Sequence, residues 1–126
     1  MMQVAAIVLL LSSLALPALS QTNPGITGTV RDSMGAVIAN AKVFIHWDPA
    51  GSSVGLSDKV GIPSDLTVTT DAKGEYSAQV PPGFYDVFVA STAFSPVAGK
   101  VRVKKDKPAT FNPRLKLDPA VSRELD

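Results

Sequence analysis

From Ile26 onwards, apolar and polar residues alternate in short runs that are separated by turn residues. Alternation with a period of two is typical of β-strands that bury one face, and no stretch has a convincing helical period. The pattern predicts strands over residues 26–31, 41–47, 66–70, 75–80, 84–90, 97–104 and 109–117. Seven short strands with regularly spaced turns predict an all-β fold, a single seven-stranded β-sandwich of Greek-key type.

Two positions indicate how these strands are connected and ordered. The tetrad from Asp71 to Gly74 suits a tight hairpin, because its glycine can adopt the left-handed backbone conformation. Pro113 lies inside the last predicted strand and cannot donate a backbone hydrogen bond to a neighbour. We therefore expect that strand to lie at the edge of a sheet.

The parity of each position predicts which side chains point into the sandwich. The expected core consists of Ile26, Val30, Val43, Ile45, Val68, Tyr76, Val80, Tyr85, Val87, Val89, Val101, Val103, Phe111 and Leu115. Trp47 has the inward parity at the end of its strand, so we expect it to anchor the core. His46 has the opposite parity and is expected to face the solvent.

The first twenty residues differ in composition from everything that follows. Val4 to Leu11 is an unbroken apolar run, and Ala18-Leu19-Ser20 places small residues before Gln21. This arrangement is typical of a secretory signal peptide. It predicts a signal peptide over 1–20, a sandwich domain over 21–118, a polar C-terminal tail over 119–126, and a secreted or periplasmic location without a membrane span after cleavage.

Composition removes several classes of function. The net charge is +1 and only 18% of residues are charged, which argues against a nucleic-acid partner. The absence of cysteine excludes disulfides and thiolate metal sites, and a single histidine excludes any site that needs two imidazoles. Scattered aspartates (Asp48, Asp58, Asp65 and Asp71) do not form the closely spaced run of a calcium loop. We expect no catalytic residue, metal site or cofactor.

Four segments together resemble carboxypeptidase regulatory-like domains. They are residues 25–32 (Gly-Ile-Thr-Gly-Thr-Val-Arg-Asp), 35–43, 69–76 (Thr-Thr-Asp-Ala-Lys-Gly-Glu-Tyr) and 80–87 (Val-Pro-Pro-Gly-Phe-Tyr-Asp-Val). The resemblance covers about residues 25–117. It implies a transthyretin-like (prealbumin-like) sandwich, usually a non-catalytic module of secreted or cell-envelope proteins, and it supplies no catalytic residues to transfer.

Enzymes and crosslinkers with related sandwiches require residues that this chain lacks. Transthyretin-like hydroxyisourate hydrolases need paired histidines, and intradiol dioxygenases hold iron with two tyrosines and two histidines. Self-crosslinking adhesin modules need a lysine in the first strand, and residues 26–31 contain none. An enzyme of unfamiliar chemistry around His46 and Asp48 is the remaining catalytic hypothesis.

Two regions are candidates for binding. The first is the long segment 48–65, where Val54 and Leu56 could contact a partner or belong to an ordinary surface loop. The second is the outward parity set with Phe44, Phe84 and Phe88, which forms one patch only if the second and fifth predicted strands share a sheet. The alternative is that the long loop covers these rings. Sequence alone leaves both questions open.

The resulting hypothesis is a non-catalytic exported module that mediates protein interaction or has a structural role at the cell envelope. The alternative is a carbohydrate-binding module that uses Trp47 and neighbouring aromatic rings. Strand addition at an open sheet edge is a further mode of interaction. The partner is expected to be an envelope or extracellular protein, or a glycan. The candidate interaction residues are Phe44, His46, Trp47, Val54, Leu56, Phe84 and Phe88.

Overall fold

Strands follow one another along most of the chain. The computed structural model describes residues 25–52 and 62–125, and within these ranges it contains nine strands and two short helices. The strands are β1 (Gly25–Thr29), β2 (Arg31–Asp32), β3 (Lys42–Trp47), β4 (Leu66–Thr69), β5 (Glu75–Gln79), β6 (Gly83–Ala90), β7 (Val97–Val103), β8 (Ala109–Thr110) and β9 (Arg114–Leu115). The helices are α1 (Pro49–Ser52) and α2 (Pro119–Leu125). Neither described helix is long and apolar enough to cross a membrane.

The strands form two layers. One layer is an antiparallel four-stranded sheet with the order β4-β3-β6-β7. The other layer has the order β5-β1-β8, in which β8 runs parallel to β1. Further along the chain, β2 follows β1 and β9 follows β8, and these two strands form a second parallel pair. This arrangement confirms the predicted all-β sandwich.

The core lies between the two layers and follows the predicted parity. All predicted core residues are buried except Val68 and Phe111, which are half-buried and pack against the others. Val43 and Val87, on paired strands of the larger sheet, have no exposed surface. Burial of apolar surface is the main stabilising contribution in a chain without disulfides.

The first and last predicted strands are each divided. Val30 separates β1 from β2, and residues 111–113 separate β8 from β9. Hydrogen bonds still bridge the second gap, since the Phe111 N–H donates to the Thr27 carbonyl and the Arg31 N–H donates to the Pro113 carbonyl. Pro113 interrupts the ladder because it has no N–H, and β8 lies at the edge of its sheet, as predicted.

Gly74 closes a tight turn between β4 and β5, but the predicted hairpin is wrong, because β4 pairs with β3 whereas β5 pairs with β1 in the other layer. Its φ is +73°, and a Cβ there would come within 2.9 Å of the Val30 carbonyl oxygen. The Asp71 carboxylate accepts hydrogen bonds from the N–H groups of Lys73 and Glu75, which fixes the turn. This turn carries the chain from one layer to the other.

Two helices lie where no helix was predicted. The C-terminal segment was expected to be a polar tail, but Pro119–Leu125 is helical. The Asp118 carboxylate caps this helix by accepting from the Ala120 N–H at 2.9 Å, and proline suits the first helical position. Asp48 caps α1 in the same way through the Ala50 N–H. Val54, Leu56 and the predicted signal peptide lie outside the described residues.

Candidate binding surface

An aromatic pair occupies the outer face of the four-stranded sheet. The register of β3 and β6 places Phe44 directly opposite Phe88, and their ring centroids are 6.1 Å apart with an interplanar angle of 45°. The second and fifth predicted strands therefore share a sheet, and their outward rings form one patch. Phe88 is 45% exposed, while Phe44 is half-buried.

The imidazole of His46 extends this pair along β3. It is stacked with the Phe44 ring at 6.5 Å between centroids and 9° between planes. Side chains two residues apart on one strand share a face, which explains the contact. We call Phe44, His46 and Phe88 the outer aromatic patch.

Phe84 shares this face but contacts a different group. It lies opposite Arg102 on β7, and the Arg102 guanidinium carbon is 5.6 Å from the centroid of the Phe84 ring. A cation positioned over an aromatic ring is attracted by its π-electrons. Because Asp86 separates Phe84 from Phe88 along β6, Phe84 forms a second contact site beside the outer aromatic patch.

A salt-bridge network lies between these two sites. The Lys100 Nζ atom is 2.6 Å from Asp48 Oδ2 and 2.7 Å from Asp86 Oδ1. Its hydrogen bond to Asp48, and then that to Asp86, raises the pKa of Lys100 above its ordinary value. The Lys100 side chain is half-exposed, so salt will screen these interactions.

His46 forms a close polar contact with the residue before β4. Its Nδ1 atom is 2.7 Å from Asp65 Oδ1, and both side chains are about half exposed. The catalytic hypothesis joined His46 with Asp48, whereas the structure places Asp48 against Lys100. Among the described residues, no group of three histidines or carboxylates is arranged to hold a metal ion.

Trp47 is the candidate residue that the fold removes from the surface. Its side chain is only 4% exposed, and its ring packs edge-on against Tyr85. The inward parity of position 47 explains this burial. Trp47 therefore anchors the core, as its parity predicted, and does not belong to the outer aromatic patch.

Three further residues of this face were not predicted from the sequence, namely Asp86, Lys100 and Arg102. Each has the outward parity of its strand, so the alternation alone placed it outside the core. Their association with the aromatic residues depends on strand register, which places Asp86 opposite both His46 and Lys100.

Solved structures of several dioxygenases have a fold similar to that of this chain. Wild-type catechol 1,2-dioxygenase from Acinetobacter radioresistens matches with a TM-score of 0.56 at 18% identity, over 81% of this chain and 54% of that chain. Catechol 1,2-dioxygenase from Pseudomonas arvilla C-1 gives a TM-score of 0.55 at 14% identity, over 82% and 56%. Hydroxyquinol 1,2-dioxygenase from Pseudomonas putida DLL-E4 gives 0.56 at 10%, over 79% and 58%.

These similarities concern the fold alone, because the identities are low. The chain spans little more than half the length of these enzymes. No match was found among curated protein sequences. The family model of the carboxypeptidase regulatory-like domain, in contrast, matches residues 25–116, which include both sheets and the outer face. The chain thus belongs to the carboxypeptidase regulatory-like domain family, a family with a transthyretin-like fold.

Proposed function

We propose that this β-sandwich is a non-catalytic module that binds another protein of the cell envelope or the extracellular space through the outer aromatic patch. The observation that carries the proposal is the cross-strand pair of Phe44 and Phe88, whose second ring is 45% exposed. Exposed aromatic rings that are held in place by a rigid sheet are typical centres of protein interfaces.

The surroundings of the patch support binding of a protein surface. Charged groups lie along one side, where His46 contacts Asp65 and Lys100 joins Asp48 to Asp86. An apolar centre with a polar rim is the usual composition of a protein interface. A complementary partner would insert an apolar side chain beside Phe88 and would place polar groups against these charged side chains.

The chemistry of His46 supports a role outside catalysis. It is the single imidazole of the chain and is about half exposed in its contact with Asp65. Catalytic histidines generally act together with a nucleophile or a second general acid or base. No hydroxyl group of the described residues is hydrogen-bonded to this imidazole.

Export is supported by the N-terminal sequence. The apolar run from Val4 to Leu11 and the small residues Ala18 and Ser20 fit a signal peptide. A cysteine-free domain that is stabilised by its apolar core does not depend on the redox state of its compartment. A secreted or periplasmic location is therefore part of the proposal.

A glycan is a weaker candidate for the ligand. The carbohydrate hypothesis depended on the Trp47 ring, which packs in the core. The rings of Phe44 and Phe88 are tilted by 45° to one another and do not provide one flat stacking platform. A protein side chain can fit between tilted rings, which favours a protein partner.

The test compares Phe88→Ser with Met34→Ser, a matched control at a side chain that is 90% exposed on a turn. The full chain is used to capture partners from envelope and extracellular fractions and is also applied to a glycan array. We expect a defined protein to bind to the unaltered chain and to Met34→Ser but not to Phe88→Ser. Equal binding by both variants would overturn the proposal, and glycan binding alone that is lost with Phe88→Ser would replace it with the carbohydrate hypothesis.

A further inference from the structure

The edge strand β7 directs one row of backbone groups out of the four-stranded sheet. Asp48 directly follows β3, and its N–H donates to the Phe84 carbonyl at 2.9 Å. The backbone groups of Phe84, and of every second residue after it on β6, therefore point towards β3. In an antiparallel sheet the intervening residues point the other way. Tyr85 is therefore bonded to Val101 on β7.

The same alternation assigns the free groups of β7. The backbone groups that point towards β6 belong to Val97, Gly99, Val101 and Val103. The N–H and C=O groups of the intervening residues, Ala98, Lys100 and Arg102, therefore point away from the sheet. Among the described residues, no other backbone group is hydrogen-bonded to these three. β7 has seven residues and pairs only with β6, whereas β4 at the opposite edge has four.

Arg102 and Lys104 give the outer side of this edge a positive charge, whereas the charge of Lys100 is balanced by Asp48 and Asp86. Lys100 and Arg102 lie on the outer face of β7, Lys104 follows directly, and the strand contains no acidic residue. Lys100 is held by Asp48 and Asp86, and Arg102 lies over the Phe84 ring. The adjoining turn adds two exposed lysines and one aspartate, Lys105, Lys107 and Asp106.

A second copy of this chain does not suit the edge. Antiparallel pairing of β7 with itself about Arg102 would place Arg102 opposite Arg102, and Lys100 opposite Lys104, of the other copy. Like charges opposite one another on paired strands destabilise the pairing, and lysine on an edge strand is a common means of preventing self-association. A strand with acidic side chains would be attracted at Arg102 and Lys104.

The inner side of the edge selects apolar residues. The Phe111 ring lies over Gly99, where a Cβ would come within 2.6 Å of the Phe111 Cε1 atom. Phe111 is half-buried and packs against the core. Alternate side chains of an added strand point to opposite faces, so one set would meet the basic residues and the other would meet Phe111.

We propose that β7 binds, by strand addition, an extended segment of another protein in which acidic side chains alternate with apolar ones. Backbone hydrogen bonds to Ala98, Lys100 and Arg102 would supply affinity, and the two faces would supply specificity. This inference goes beyond the proposed function, because it uses the sheet edge and does not require the outer aromatic patch.

The test is amide hydrogen exchange, measured by NMR on the full chain with a synthetic probe. The probe is a capped seven-residue peptide, as long as β7, in which glutamate alternates with valine. In the free protein we expect protected amides at Gly99 and Val101 and rapid exchange at Lys100 and Arg102. Addition of the peptide should slow exchange at the latter two by on the order of tenfold or more.

Two controls separate strand addition from simple charge attraction. A peptide of the same sequence that is N-methylated on alternate amides keeps its charges but cannot complete the ladder, so it should give no protection. Lys104→Glu should weaken binding of the unmodified peptide, whereas Lys73→Glu, the same charge change on the turn that follows the opposite edge strand β4, should not.

The outcomes distinguish this inference from the proposed function. Unchanged exchange at Lys100 and Arg102 under saturating peptide, or equal protection by the N-methylated peptide, would overturn it. Ala98→Pro removes an N–H that points outward from β7. If Phe88→Ser lost peptide binding while Ala98→Pro kept it, the peptide would bind to the outer aromatic patch, and that result would also overturn the inference. Binding that survives Phe88→Ser and fails in a folded Ala98→Pro supports the edge.

Discussion

The indole of Trp47 packs edge-on against the ring of Tyr85, with 5.4 Å between ring centroids and 77° between planes. The two residues face one another across β3 and β6, and both are buried. The Tyr85 hydroxyl donates to the Pro81 carbonyl at 2.6 Å, which ties the start of β6 to the same cluster. Aromatic pairs of this geometry contribute beyond the area that they bury.

Replacement of Trp47 should therefore destabilise the fold without altering the surface. We expect Trp47→Ala to lower the free energy of unfolding by about 3–5 kcal/mol, because it removes a buried ring and leaves a cavity. The neighbouring His46→Ala, on the exposed face, should change it by less than about 0.5 kcal/mol. Denaturant unfolding measures both. Equal effects of the two variants would contradict the assignment of Trp47 to the core.

The same pair of positions shows what local sequence can predict. Alternation assigned Trp47 to the core and His46 to the surface because side chains on a strand alternate strictly between faces. The partners of these residues depend on register between strands that are distant in sequence. The contact of Phe44 with Phe88 therefore could not be predicted from the sequence, because it depends on the pairing of β3 with β6.

The helix Pro119–Leu125 shows a different limit. Its polar composition concealed a local signal, since Asp118 followed by Pro119 is a capping residue followed by a residue suited to the first helical turn. Pro113 predicted that the last strand lies at an edge, but the division of that strand into β8 and β9 was not predicted. The basic residues of β7 can be read from the sequence, but the backbone groups that point outward from β7 follow only from its pairing with β6.

Thr70 is a buried polar residue whose hydroxyl joins two segments. Its Oγ1 atom accepts from the Ala41 N–H at 2.9 Å and donates to the Ile38 carbonyl at 2.7 Å. We expect Thr70→Val to destabilise the protein by about 1–3 kcal/mol, since the shape is kept while both backbone groups lose a partner. Thr67→Val on the exposed face is the control and should change little. Thermal or denaturant unfolding would show the difference, and equal stability of the two variants would contradict this role.

Gly28 and Gly99 should differ in their tolerance of a side chain. A Cβ at Gly28 would collide with the backbone carbonyl oxygen of Phe111, whereas a Cβ at Gly99 would meet the Phe111 ring. A ring can rotate aside more readily than backbone can move. We expect Gly28→Ala to cost about 1–3 kcal/mol or more and Gly99→Ala to cost less. Denaturant unfolding of both variants tests this order, and the reverse order would show that the Phe111 ring is the more rigid obstacle.

The Lys100 network predicts a dependence of the outer face on salt. Because Lys100 is half-exposed, its contacts with Asp48 and Asp86 are weakened by screening ions. We expect Lys100→Met to change unfolding stability at low salt and to change it less at high salt. The control is Lys73→Met, which lies on a turn far from these aspartates. A salt-independent difference between Lys100→Met and the unaltered chain would mean that packing of the lysine stem outweighs its charge.

Stability should decrease at alkaline pH. Burial raises the pKa of Tyr85 to about 12 and raises that of Tyr76 as well, and hydrogen bonding to Asp48 and Asp86 raises that of Lys100. Each group holds its proton more tightly in the folded state. The unfolded chain therefore binds fewer protons above about pH 10, so unfolding becomes more favourable as pH rises from there through the folded pKa values.

Tyr85→Phe isolates one contribution to this slope. It removes the titrating hydroxyl and its hydrogen bond to the Pro81 carbonyl, so the variant should be less stable at neutral pH. Between about pH 10 and 12 its stability should then decrease less steeply than that of the unaltered chain, because one fewer group releases a proton on unfolding. Denaturant unfolding across this range, with tyrosinate absorbance recorded in parallel, measures both quantities. Parallel curves for the two proteins would mean that Tyr85 ionises as readily in the folded state as in the unfolded one, and the burial of its hydroxyl would then not control its titration.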